Sequence, residues 1–177
     1  MFKNKKGFTL IELLIVIAII AILASVIFVA LDPLKRFQDS RDAARYTDIE
    51  SIAHAIELNQ VDNGGAYILA VRDMTTGSFY MIVDGQGASA MTSGCDDNYD
   101  ICEADVETDS SCVDLDSLVE GGYLGDVPFS ASADVDWDHG ESTNDEGTGY
   151  VLRKNDNGSI TVQSCESENV DEIMIVR

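Results

Sequence analysis

A single carboxylate, Glu12, opens an apolar run that continues from Leu13 to Leu31 with Ser25 as its one polar break. An acidic side chain in a membrane-length segment is costly unless it meets a cationic partner, so Glu12 calls for one. Two other groups could do chemistry. Cys95, Cys102, Cys112 and Cys165 can pair oxidatively. Asp134, Asp136, Asp138 and Asp145 place hard oxygen ligands at loop positions 1, 3, 5 and 12, the pattern that Ca²⁺ uses. That pattern is imperfect, because Gly140 falls at position seven instead of six, Asp145 replaces a glutamate and no helices flank the loop. A calcium loop and an unliganded acidic loop both stay open, and no other cofactor is called for.

The apolar run must be a helix. At ~1.5 Å per residue, residues 8–31 reach about 36 Å, more than the ~30 Å hydrocarbon core of a bilayer. Lys3, Lys5 and Lys6 place the amino end in the cytoplasm and everything after Leu31 outside. Residues 24–32 offer no small-residue cleavage site, so the segment is expected to be retained and not lost as a signal peptide. The cysteines then lie in an oxidising compartment, where four thiols allow three pairings. Cys95 with Cys102 would close a small loop and leave Cys112 to tie the central region to Cys165, and this is the expected pairing. A zinc site lacks C-x-x-C spacing and nearby histidines. Free buried cysteines are the other alternative.

Asp32-Pro33 predicts a kink or restart, since the residue before proline is steered away from α geometry. Helical period then resumes: Tyr46, Ile49, Ile52, Ala53 and Ile56 form one stripe, with Arg41, Asp42, Arg45, Asp48 and Glu57 on other faces. Asp62-Asn63-Gly64-Gly65 predicts the stop. His54, beside the stripe with no second ligand near it, reads as a surface or half-buried helix residue. Residues 66–71 and 78–83 read as a hairpin and residues 113–119 as a short helix. Residues 149–153 and 159–163 flank Asn157-Gly158, a signal for a tight primed turn, and residues 173–176 can add a last strand. The fold class is α+β: a long amino-terminal helix, membrane-spanning in its first half and amphipathic in its second, packed on a small antiparallel sheet.

Lys5-Lys6-Gly7-Phe8-Thr9-Leu10-Ile11-Glu12-Leu13-Leu14 resembles the amino ends of type IV pilins and of the pseudopilins of type II secretion. In that family a short basic leader ends in Gly before Phe, and TLIELL follows. The resemblance is close over the first 31 residues and looser up to Gly65. It implies that a prepilin peptidase cuts between Gly7 and Phe8 and methylates the new amino group of Phe8. It also implies that the helix stays on the mature subunit, with Glu12 setting the register of assembly. Many members carry Pro where this chain has Val29 and Gly where it has Ala21, so a break in this helix is expected elsewhere. The implied organisation is a leader over 1–7, a transmembrane and filament-core helix over 8–31, an amphipathic helix over 32–65 and an extracytoplasmic, disulfide-bonded, β-rich head over 66–177.

The implied function is that of a structural subunit of a bacterial type IV pilus, serving adhesion, motility or DNA uptake. A pseudopilin of a type II secretion system is the alternative within the family, and a single-span membrane-anchored binding module that never polymerises is the alternative of another class. The implied partners are identical or related pilin subunits, the prepilin peptidase, the inner-membrane assembly platform and, before assembly, membrane lipid. The chain would cross the cytoplasmic membrane once before assembly and lie in an extracellular filament afterwards.

Charge narrows the field. Of 177 residues, 11 are basic and 32 acidic; without residues 1–7 eight basic residues remain, for a net charge of −24. Nucleic-acid backbones repel such a surface, which argues against binding through a basic face, and a solvated acidic exterior suits an exported protein. A head of about 110 residues suffices for one modest core. The two histidines are far apart and neither G-x-S-x-G nor a phosphate-cradling G-x-x-x-x-G-K occurs, so no enzyme is read. Asn157-Gly158-Ser159 fits a glycosylation sequon, although Asn-Gly already reads as a turn.

Overall fold

The structure, a computed structural model, describes residues 7–83, 90–91, 102, 111–132, 137 and 147–177. Contacts divide the chain into two compact units, one ending at Phe37 and the other beginning at Gln38.

In the first unit, Thr9 caps helix α1 (Leu10–Leu31), which is long and apolar enough to cross a membrane. None of its 22 residues is buried. It ends where Asp32 takes φ 37° and ψ 73°, a left-handed conformation that the expected kink at Asp32-Pro33 anticipates. Asp32 then serves helix α2 (Pro33–Asp62): its Oδ1 accepts from the Lys35 amide at 3.5 Å, and Pro33 occupies the first helical position, where its missing N–H costs nothing.

In the second unit, α2 buries Ile49, Ile52, Ala53 and Ile56 as the period predicts. Tyr46, expected on that stripe, is 41% exposed. Asp42 and Arg45, expected on other faces, are buried. The helix stops at the predicted glycines: Gly65 N–H donates to Gln60 O at 2.8 Å and Gly64 N–H to Val61 O at 3.2 Å, with Gly64 at φ 67°, a Schellman end.

The expected hairpin over residues 66–83 does not form. Residues 69–73 make a short helix, α3 (Leu69–Asp73), and strand β1 (Phe79–Val83) pairs with distant strands. An apolar run of a few residues carries no period that separates strand from helix, which is why the first half was misread. The helix expected over 113–119 divides into β3 (Cys112–Asp114) and α4 (Asp116–Glu120). With β2 (Ala90–Met91), β4 (Gly147–Lys154), β5 (Ile160–Ser164) and β6 (Met174–Val176), the order is β2-β3-β1-β4-β5-β6. The sheet is mixed and not wholly antiparallel, because β1 and β3 run parallel.

Side chains alternate across it. Tyr80, Ile82, Val113, Tyr150, Leu152 and Val162 join the α2 stripe in the main core, while Met81, Val83, Cys112, Val151 and Cys165 cluster with Trp137 on the other face. Gly149, at φ 77°, is required there: a Cβ would come within 2.6 Å of the Ser130 Cβ and 2.9 Å of the Trp137 indole nitrogen. The β4–β5 turn is not primed. A type I′ turn needs positive φ at both Asn157 and Gly158, and Gly158 alone has it, at 84°. Gly158 N–H donates to Asn155 O at 3.0 Å and Asn155 N–H to Ser159 O at 2.8 Å, the bonds of a three-residue loop with a glycine bulge.

Candidate assembly site and charged seam

Gly7 and Phe8 precede α1 in non-helical backbone, and Phe8 is 93% exposed. Among the described residues, a side chain built at Gly7 meets no atom within 4 Å, so their packing does not demand glycine there. The Thr9 amide and the Thr9 hydroxyl both donate to Glu12 Oε2 at 2.7 Å, and the Glu12 amide donates to Thr9 Oγ1 at 3.3 Å. This is a reciprocal capping box, which satisfies helix-end donors that lipid could not hydrate. Glu12 Oε1 accepts no hydrogen bond among the described residues. The cap therefore occupies one carboxylate oxygen and leaves the other for an outside donor.

The head treats charge differently. Arg45 is 1% exposed, yet every face of its guanidinium meets an acceptor: Asp42 Oδ1 at 2.7 Å, Glu168 Oε1 at 3.1 Å, Ser130 Oγ at 3.2 Å and the Ala131 carbonyl at 2.8 Å, with Glu166 at 3.8 Å. Arg41 grips both oxygens of Glu168, at 2.6 and 2.5 Å. Asp42 accepts in turn from the amides of Glu168 and Asn169. These guanidiniums hold the Glu168 carboxyl below its ordinary range, Arg41 most of all. The result fastens the segment between β5 and β6 to the start of the head portion of α2. Sequence reasoning missed it because Glu166 and Glu168 stand more than 120 residues from Arg41 and Arg45. The available signal was the i, i+4 pair Arg41 and Arg45 with Glu166 and Glu168 alternating near the carboxyl end.

The disulfide expectation is corrected. Cys102 bonds Cys165, across a sequence separation of 63. Cys112 is also disulfide-bonded, and Cys95 lies outside the described residues. A Cys112–Cys165 bridge is excluded geometrically: Cys112 begins β3 and Cys165 follows β5, with β1 and β4 between them, about 14 Å at the spacing of neighbouring strands. Asp134, Asp136, Asp138 and Asp145 also lie outside the described residues. His54 is exposed, as expected.

A membrane-length apolar helix followed in sequence by an α+β head with a disulfide fits a membrane-anchored subunit. Residues 2–28 match the prokaryotic N-terminal methylation motif, so the chain carries a prepilin-like amino end of the type IV pilin and pseudopilin kind. That motif points to a structural protein and not an enzyme. No curated protein and no solved structure matches the chain.

Proposed function

We propose that this protein is the subunit of a bacterial type IV pilus. Prepilin peptidase cleaves it after Gly7 and methylates Phe8, and it leaves the cytoplasmic membrane to polymerise through α1. The carrying observation is the methylation motif leading into a helix that buries none of its own residues. Such a helix suits two environments in turn, lipid and the core of a helical filament. Both lack water, so a charge must be paired inside them. In the filament the freed Phe8 amine of one subunit meets the open Oε1 of Glu12 on its neighbour. Each is penalised if buried alone, which fixes axial register.

Shearing cells and measuring intact masses in the released fibres tests this. The expected species begins at Phe8, carries one methyl group and has its cysteines oxidised. A mature amino terminus beyond Leu31 overturns the proposal, while correct processing without surface fibres favours a pseudopilin. Gly7→Val leaves uncleaved precursor in the membrane. Since none of the described residues crowds position 7, that failure reports on the peptidase and not on folding.

A further inference from the structure

We infer that Asn157 is a self-modifying site, at which the β4–β5 turn promotes loss of the side-chain amide and formation of aspartate or isoaspartate. In this reaction the backbone nitrogen of Gly158 loses its proton and attacks Asn157 Cγ. The Cγ–Nδ2 bond breaks and ammonia leaves, closing a five-membered imide. Water then opens either imide carbonyl, so one water is consumed and one ammonia released. Negative charge develops on Oδ1 during the attack.

The turn supplies donors at that oxygen. Asn157 Oδ1 accepts from the Ser159 hydroxyl at 2.8 Å and from the Ser159 amide at 3.0 Å, a two-donor arrangement of the kind that stabilises an oxyanion. The hydroxyl proton is directed. Asn155 Nδ2 donates to Ser159 Oγ at 2.9 Å, which occupies a lone pair and leaves the Ser159 proton for Asn157. Asn155 is fixed in turn, because Arg153 Nε donates to its Oδ1 at 3.0 Å and its Nδ2 also reaches Thr161 Oγ1 at 2.9 Å. Arg153 is steadied over the Phe79 ring, 4.5 Å from its centroid. A chain of donors backed by a cation thus ends on the carbonyl to be attacked, and such chains polarise one another. Gly158 offers no side chain to obstruct the nitrogen, and residues 156–158 are exposed to water and base.

Asn63-Gly64 provides an internal contrast. The attacking amides are equally engaged, Gly158 N–H on Asn155 O at 3.0 Å and Gly64 N–H on Val61 O at 3.2 Å, so that bond must open at either site. The side chains differ. Asn63 Nδ2, the leaving group, is tied to Asn59 O at 2.8 Å, and Asn63 Oδ1 accepts no hydrogen bond among the described residues. The activated carbonyl is at 157 alone of the two.

The test is incubation of the full-length oxidised protein in detergent at mildly alkaline pH, with ammonia assay, peptide mapping and enzymatic methylation of isoaspartate. Expected are a one-dalton gain and isoaspartate at 157 well ahead of 63, faster with rising pH. Ser159→Ala, which removes one donor at an exposed site, slows position 157 roughly fivefold and leaves position 63 unchanged. Asn63 in the same digest reports whether the variant remains folded. Equal rates at the two asparagines, an unaltered rate in Ser159→Ala, or a glycan mass on the Asn157 peptide overturns the inference.

Discussion

Glu12 and Arg45 pose the same problem and receive opposite answers. Each is an ionised side chain assigned to a place without free water. Arg45 is enclosed by Asp42, Glu168, Ser130 and a carbonyl, all from its own chain. Glu12 stands at the start of a helix with no buried residue and, among the described residues, hydrogen-bonds only to Thr9. The head supplies every acceptor that Arg45 needs, whereas the proposed function has the open oxygen of Glu12 completed by a neighbouring subunit. The contrast separates what folding must settle from what assembly must settle.

The largest expected effect breaks the open half of that contrast. Glu12→Gln keeps an acceptor for the Thr9 cap but removes the charge that the proposed assembly pairs with the Phe8 amine. Processing at Gly7 and thermal melting of the head should be unchanged while fibre yield collapses, read by shearing and immunoblot. Fibres at normal yield would show that the carboxylate has no partner in assembly.

Next comes the closed half. Arg45→Met preserves bulk but leaves Asp42 without its cation, while Glu168 keeps Arg41, and breaking the buried Asp42–Arg45 pair in this way costs about 3–5 kcal/mol. Urea unfolding of the full chain in mild detergent measures it. Adding Asp42→Asn should recover part of the loss, because an amide oxygen in the place of Oδ2 can still accept from the amides of Glu168 and Asn169. A similar loss follows from reducing Cys102–Cys165: a closed loop of this length contributes about 4 kcal/mol on the chain-entropy account. Alkylation mapping should find Cys102 paired with Cys165 and not with Cys95.

Legibility in the sequence followed the range of the interactions. The α1 helix, the stripe Ile49-Ile52-Ala53-Ile56 and the stop at Gly64-Gly65 were readable because their causes lie within a few residues of their effects. Strand β6 was placed to within a residue. The segments 66–71 and 113–119 were misread because each is shorter than the period needed to tell helix from strand. Cysteine pairing and the Arg41–Arg45 seam could not be read, since both depend on which strands lie between which, and that order is set by the whole sheet. The prepilin-like motif was legible for the reverse reason. It lies within residues 2–28 as a local string, so its information is linear.

The smallest effect sharpens the comparison from inside the head. Asp48 Oδ2 accepts from the Tyr150 hydroxyl at 2.6 Å, and burial raises the Asp48 carboxyl above its ordinary range although this bond partly opposes the shift. Burial and Asp48 push the Tyr150 hydroxyl far up, so it stays a donor across the accessible pH range. A group raised in the folded state binds its proton more tightly there than in the unfolded chain. Its contribution to stability is therefore present below the unfolded value, about 3.9, and lost as pH rises through the folded one. Glu168 has the opposite sign: lowered by Arg41 and Arg45, it contributes above about 4.3 and loses that contribution as pH falls through its folded value. Asp48→Asn keeps an acceptor for Tyr150 without the charge. It should be slightly more stable than the parent at pH 7, by no more than about 1 kcal/mol, and the advantage should vanish below pH ~4. Its acid limb should also be steeper, because it loses what Glu168 contributes without regaining anything at position 48. Unfolding midpoints of the two proteins between pH 3 and 8 decide it. A variant less stable at neutral pH would mean that the head completes the Asp48 charge as fully as it completes Arg45.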